Sequence, residues 1–339
     1  MMFQKNKILV STLALSSLIS GVANATTMTQ NSSEHYHVGH KMHMHDMPSH
    51  GMNMWMFNLM PMYMTMDGLQ SGTSSVAAPA DDMMVPTKMD MSMLMFMAMY
   101  MTRNWDFMIM GSYNIKTMDM TMNMMGKSIA STMRSEGFGD TQLLISYKFL
   151  QTQHQSLKLK GGVSVPTGRI NYQGVMPMMS TTLYGYNMQM GSGTFDPIIG
   201  IIYGYHWHKW FLQSELKTLQ RLYKNYRDYA LGDVYQLTLG ADYNVWSYLS
   251  LGSKVQGVLT TKTSGVAEDT NTNWGISYNP QNTGAKVINL IAEAKIKGAG
   301  ILSNQSLLLQ FAYPIYQNLN GIQMKQGWQA GVSFNFMFM

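Results

Sequence analysis

The chain has 339 residues, 46% of them hydrophobic and 12% charged, with a net charge of +5, 38 methionines and no cysteine. Without cysteine there are no disulfides and no thiolate chemistry. Lysine and arginine are scattered rather than gathered into a basic stripe with aromatics, which argues against a nucleic-acid partner, and no segment has the roughly eighteen uninterrupted apolar residues of a membrane helix.

Lys5 and Lys7 precede the apolar run Ile8 to Ile19, and Ala23-Asn24-Ala25 follows. A positive start, an apolar middle and a small-residue cleavage site describe a secretory signal peptide. Residues 1–25 are therefore expected to be removed, leaving a mature chain that begins near Thr26. The apolar run is short for a membrane anchor, which is the other reading.

Residues 26–51 are expected to form a disordered, His/Met-rich periplasmic extension. The stretch HYHVGHKMHMHDMPSHGMNMWM (35–56) holds six of the nine histidines: His35, His37, His40, His43, His45 and His50. Met42, Met44, Met47, Met52, Met54 and Met56 are interleaved with them. Imidazole suits Cu(II) and thioether suits Cu(I) or Ag(I), so the tract reads as metal-binding. Zinc and nickel also accept imidazole; the plainer reading is a polar leader with incidental histidines.

From residue 52 to 339 the chain alternates with period two, the period of a β-strand. In GMNMWMFNLMPMYMTM, Met52 to Met66 fall on even positions, including Met62 and Met64, while Trp55, Phe57, Leu59 and Tyr63 take odd ones. In MDMSMLMFMAMYM (89–101) every odd residue is methionine, among them Met91, Met93, Met95, Met97 and Met99. NWDFMIMGSYNIK sets Met108 and Met110 opposite Trp105, Phe107 and Ile109. The later segments set Leu, Ile, Val, Phe and Tyr against Lys, Glu, Gln, Asn and Ser, down to GWQAGVSFNFMFM at the end.

These segments make about twelve strands, an even number, joined alternately by short links (103–104, 150–155, 206–209, 246–247, 298–303) and long ones (67–87, 118–137, 167–193, 222–230, 262–284, 316–325). A soluble sandwich also alternates, but its strands average about five or six residues. The expected fold is all-β: a transmembrane antiparallel β-barrel over residues 52–339 in the outer membrane of a Gram-negative bacterium. The chain ends on Phe338 and then Met339 rather than on an aromatic.

The blocks SEGFGD (135–140), VPTG (165–168), GSGTFDPIIG (191–200) and YPIYQNLNG (313–321) resemble, in order and spacing, a family of proteobacterial outer-membrane proteins. It is the phenol-degradation meta-pathway, or "transporter", family, and the resemblance covers about residues 54–336. It implies a membrane barrel that passes small solutes, and it supplies no catalytic residues. Members with a His/Met-rich leader are similar to proteins linked to copper handling.

In a membrane barrel the aromatic face meets lipid, so the methionine rows point into the lumen. Three readings of those rows stand together: soft-metal contact, a flexible apolar lining and oxidant scavenging. The lead expectation is an outer-membrane protein, not an enzyme, that binds copper or silver through the His and Met residues named above. It requires no cofactor, its ligand is a copper ion, and its partners are membrane lipid, the metal ion or a small solute, and a periplasmic metal-handling protein. The alternative is a passive channel for small apolar or aromatic solutes. Glu215, Lys217, Glu293 and Lys295 are expected as lumen ion pairs.

Overall fold

The computed structural model describes residues 53–79, 82–124, 126–177 and 181–338, so the signal-peptide and leader expectations lie outside the described residues. In chain order the strands are β1 (Met54–Gly72), β2 (Ser74–Val76), β3 (Met84–Met101), β4 (Trp105–Met124), β5 (Lys127–Phe138) and β6 (Thr141–Gln151). They continue as β7 (Gln155–Val165), β8 (Gln173–Val175), β9 (Thr181–Leu183), β10 (Asp196–Trp207), β11 (Trp210–Leu219) and β12 (Tyr229–Ala230). The last five are β13 (Val234–Asn244), β14 (Leu249–Thr260), β15 (Ser264–Gly265), β16 (Ala285–Lys297) and β17 (Gln305–Phe338).

The wall runs β17-β16-β14-β13-β11-β10-β7-β6-β4-β3-β1, each strand antiparallel to its neighbours, and β17 returns to pair with β1. A ring of eleven antiparallel strands cannot close, because every step reverses direction and the last strand would meet the first in parallel. The 34-residue β17 resolves this. Its residues 306–319 pair with β16 and its residues 319–338 with β1, both antiparallel, so the chain turns back between them. Gly321 supplies the left-handed backbone of that turn at φ +64, a conformation that costs other residues energy. Across it, Gln317 Nε2 donates to the Gln326 carbonyl at 2.8 Å and Gln326 N donates to Gln317 Oε1 at 2.9 Å. The barrel therefore has twelve staves, as the alternation predicted, and no free edge.

The two ends differ. At one end the staves are joined by short turns; at the other they carry the longer connections, and some strands continue beyond the wall. The predicted loop 118–137 is instead a hairpin: β4 runs on to Met124 and β5 pairs back along it, Tyr113 with Phe138 through Met124 with Lys127. The signal was present in TMDMTMNM (117–124), which alternates with period two but lacks the aromatic outer face of the other strands.

The faces separate by chemistry. Trp55, Phe57, Phe96, Trp105, Phe107, Ile109, Ile201, Leu237 and Phe311 lie exposed on the outside. Close to the short turns, aromatic pairs ring the barrel: Trp55 with Tyr100 at 4.8 Å, Trp105 with Tyr147 at 4.7 Å and Trp210 with Tyr243 at 4.9 Å between ring centroids. A ring of amphipathic aromatics at the stave ends is what a membrane–water boundary selects.

Candidate functional site

The site is the lumen, and its most distinctive wall is made of thioethers. Register fixes it. On β1 and β3, Met54 pairs with Met101, Met56 with Met99, Met60 with Met95, Met62 with Met93, Met64 with Met91 and Met66 with Met89. On β3 and β4, Met99 pairs with Met108, Met97 with Met110, Met89 with Met118 and Met84 with Met122. Met118 then meets Met133 on β5. Directly opposed side chains start about 4.5–5.5 Å apart, so neighbouring thioethers lie side by side along the full height of the wall.

Of the predicted metal ligands, Met54, Met56, Met62, Met64, Met91, Met93, Met95, Met97, Met99, Met108 and Met110 stand on this one wall, all buried. The six histidines and Met42, Met44, Met47 and Met52 lie outside the described residues. The wall also extends further than that set. Met60 is fully buried at its centre, and Met84, Met89, Met118, Met120, Met122 and Met133 continue it toward the loop end.

The methionines reach across the lumen. One cluster of mutually packed residues joins eleven of them to Leu144, Ile198, Leu219, Val234, Val258 and Leu308, which come from β6, β10, β11, β13, β14 and β17. A twelve-stave ring is wider than the roughly eight-stave barrel whose interior ordinary side chains just fill. Long, unbranched methionine fills the surplus width while keeping its rotamers exchangeable.

The remaining wall is polar. Gln236, Thr238, Gln256, Asn289, Gln310 and Gln329 face inward with a set of ion pairs. Lys160 Nζ lies 2.6 Å from Glu215 and Lys254 Nζ lies 2.8 Å from Glu293, all four groups buried. Asp106 receives both Lys148 and Lys158 at 2.9 Å. Glu215 and Glu293 were expected in lumen ion pairs, and they are: Glu215 meets Lys160 of β7 across the intervening β10, and Glu293 meets Lys254 of the adjacent β14.

The loop end is capped. The connection between β7 and β10 enters the mouth, where Lys116 Nζ donates to the carbonyls of Asn187 at 2.9 Å and Gln189 at 2.5 Å. Ser135 Oγ donates to the Met188 carbonyl at 2.8 Å. Met176, Met188 and Met190 are buried there, together with Ile276 and Tyr278 from the connection between β15 and β16. Gln189 stitches the inserted segment to itself, accepting from Tyr172 N at 2.7 Å and donating to the Tyr184 carbonyl at 2.7 Å. Met178 and Met179, also in this connection, lie outside the described residues.

Three of the Gly-rich sequence blocks meet in the clamp that holds the cap. Asp140 of SEGFGD accepts from Ser192 N at 2.8 Å, Ser192 Oγ at 2.6 Å and Gly168 N at 3.1 Å. Gly168 belongs to VPTG and Ser192 to GSGTFDPIIG. Thr194 Oγ1 donates to Asp196 Oδ1 at 2.7 Å, and Asp196 forms an ion pair with Arg221. A Cβ on Gly168 would stand 2.6 Å from the Gly191 Cα, so the two backbones touch where any side chain would separate them. Burial pushes the Asp140 carboxyl above the usual carboxylate range, with the Ser192 hydrogen bonds opposing it. Burial also brings the Arg221 guanidinium down to about 10. In sequence these blocks are short and far apart; their convergence depends on pairings across the barrel that no local pattern records.

Among the described residues no group of three or more His, Cys, Asp or Glu side chains is placed to hold a metal ion. His206 packs its ring on Phe211 at 4.5 Å between centroids, next to the turn that carries His208.

The fold is similar to that of an outer membrane channel from Pseudomonas putida F1, at 11% identity over 84% of this chain and 96% of that one, with a TM-score of 0.56. The Ralstonia pickettii toluene transporter TbuX matches at 8% identity over 85% and 90% of the two chains, with a TM-score of 0.42. The transport unit of the autotransporter AIDA-I from Escherichia coli matches at 10% over 86% and 93%, with a TM-score of 0.44. At these identities the likeness to the Pseudomonas channel is one of fold. No curated protein matches the sequence. The model of the family described as "Putative MetA-pathway of phenol degradation" matches residues 69–287, well over half of the chain, and the chain belongs to that family.

Proposed function

We propose that this outer-membrane barrel passes small apolar solutes, aromatic ones included, along its methionine wall. The observation that carries the reading is the continuity of that wall: paired thioethers run from Met54 and Met101 near the short turns to Met84 and Met122 beneath the cap. Thioether is apolar and polarizable, makes favourable contacts with aromatic rings, and re-packs at low cost. An apolar solute can therefore displace side chains from one site to the next without opening a wide pore. The family description, with its reference to phenol degradation, agrees with a solute of this kind. In this orientation the short turns face the periplasm and the cap faces outward, as barrels of this class are built.

Soft-metal contact is the second reading, favoured by a separate observation. Met60 with Met95, Met62 with Met93 and Met97 with Met110 are direct cross-strand pairs, so two or three neutral soft donors can converge on one Cu(I) or Ag(I) ion. The His/Met leader would then act as a feeder or chelator at the periplasmic mouth. Met→Leu changes separate the readings, because leucine keeps the apolar wall and removes the sulfur.

The test is entry of labelled toluene into outer-membrane vesicles with their native lipopolysaccharide leaflet, prepared with and without the protein. Protein-dependent entry is expected; equal rates in the two preparations would refute passage.

A further inference from the structure

The outward face of the wall carries a feature that passage through the lumen does not use. At the capped end, Lys286 of β16 pairs with Asn318 on the first limb of β17. Gln317 and Gln326 bond each other across the reversal, so the next rung sets Asn318 against Lys325 on the second limb. The chain neighbours of these three, Ala285, Val287, Gln317, Leu319, Met324 and Gln326, are buried. By alternation Lys286, Asn318 and Lys325 point outward. Leu259 of β14 flanks Lys286 on its other side, and a few residues on stands the exposed Lys262. Its Nζ lies 3.3 Å from Gln281 Oε1.

Among the described residues, none of these three lysines forms an ion pair. Elsewhere at this end, exposed cations have carboxylates beside them: Lys88 with Asp90 at 2.7 Å, Arg134 with Glu136 at 2.8 Å and Lys224 with Asp228 at 3.3 Å. The next stave, β1, carries Asp67, which stands opposite Lys88 of β3.

Nearer the middle of the wall the same staves are first aromatic and then hollow. Tyr313, Tyr316 and Trp328 lie exposed below the lysines. Beyond them Ala292, Ala294 and Ala330 stand among the larger Leu251, Leu309 and Phe311. The small side chains leave an apolar, lipid-facing groove of about 910 Å³ that continues over Pro61 and Ser92 onto β1 and β3. That is the upper end of the roughly 300–1,000 Å³ of ordinary ligand sites.

We propose that this face binds lipid A, the phosphorylated glycolipid of the outer leaflet. Lys286, Lys325 and Lys262 hold its phosphates, Asn318 donates between the first two, and its acyl chains pass over Tyr313 and Trp328 into the groove. Ammonium groups make strong charge-assisted hydrogen bonds to phosphate oxygens. Neighbouring strands are about 4.8 Å apart, which sets Lys286 and Lys325 about 10 Å apart at their bases. A disaccharide with a phosphate at each end engages both; a phospholipid, with a single phosphate, does not. The site faces lipid, so it is independent of what the lumen carries and needs only that the capped end face outward.

The test is a titration of the refolded full chain in nonionic detergent, read by native mass spectrometry. The probes are bisphosphorylated lipid A, the same lipid without its phosphates, and phosphatidylglycerol. Lipid A is expected to bind about tenfold or more tighter than either of the others. Lys286→Gln with Lys325→Gln is expected to bring its affinity down to that of the dephosphorylated lipid, while Lys224→Gln leaves it unchanged. Ala292→Trp with Ala330→Trp, which fills the groove from the lipid side, is expected to weaken lipid A as well. Equal affinity for the three lipids would overturn the proposal. So would a preference for lipid A that survives in the double lysine variant, since the phosphates would then be held elsewhere.

Discussion

Replacing Asp140 by alanine should loosen the cap while leaving the barrel intact. The carboxylate is 7% exposed and accepts three hydrogen bonds, two of them from the backbone amides of Gly168 and Ser192. Leaving a buried donor unsatisfied costs about 1–3 kcal/mol, so two amides lose about 2–6 kcal/mol. Part of this is recovered, because the variant no longer buries a charged group whose pKa burial has raised. A net loss of about 3 kcal/mol would make the open cap about 100-fold more populated, since each 1.4 kcal/mol is a factor of ten. Amide hydrogen exchange over residues 185–192 measures this directly. The expected result is exchange about 100-fold faster in that segment, with the amides of β13 and β14 unchanged. Exchange within about threefold of the unaltered protein would refute the claim that Asp140 holds the cap.

Gly168→Ala tests the same clamp by a different force. Its new Cβ would meet the Gly191 Cα at 2.6 Å, and such overpacking costs about 1–3 kcal/mol, so hydrogen exchange should again rise in the cap and not in the wall. Lys254→Met should strand Glu293 in the lumen and cost about 3–5 kcal/mol, whereas Lys254→Met with Glu293→Met should come close to neutral; urea unfolding in lipid vesicles reads both. In a competition titration with Cu(I), the soft-metal reading predicts binding by the barrel that persists without residues 26–51 and disappears when Met60, Met62, Met93 and Met95 become leucine. Binding lost with the leader alone would confine the metal to the leader.

Much of this architecture is written in period two. A methionine at every odd position from Met89 to Met101 fixed both the strand and the direction of its side chains once Leu94, Phe96 and Tyr100 marked the other face. Twelve staves follow from the same alternation, and the reversal inside β17 is marked by Asn320-Gly321. What was not legible depends on distant partners. Met133 and Met188 join the thioether cluster only because β5 folds back on β4 and the cap enters the mouth. Lys116 is buried, and nothing near it in sequence names Asn187 and Gln189 as its acceptors. The expected pairing of Glu215 and Glu293 was correct in kind, but their partners Lys160 and Lys254 come from other staves, Lys160 reaching across β10.

The central claim is that solute moves along the methionine wall because it is apolar and deformable. It is tested most directly by toluene entry into outer-membrane vesicles carrying either Met60→Leu with Met95→Leu or Met60→Gln with Met95→Gln. These two positions face each other across β1 and β3 and are 0% and 1% exposed. The account predicts entry near the unaltered rate for the leucine pair and at least about tenfold slower entry for the glutamine pair, whose amides disrupt an apolar path. Unchanged entry with glutamine would contradict it, and so would equal loss with leucine, which would assign the role to sulfur itself.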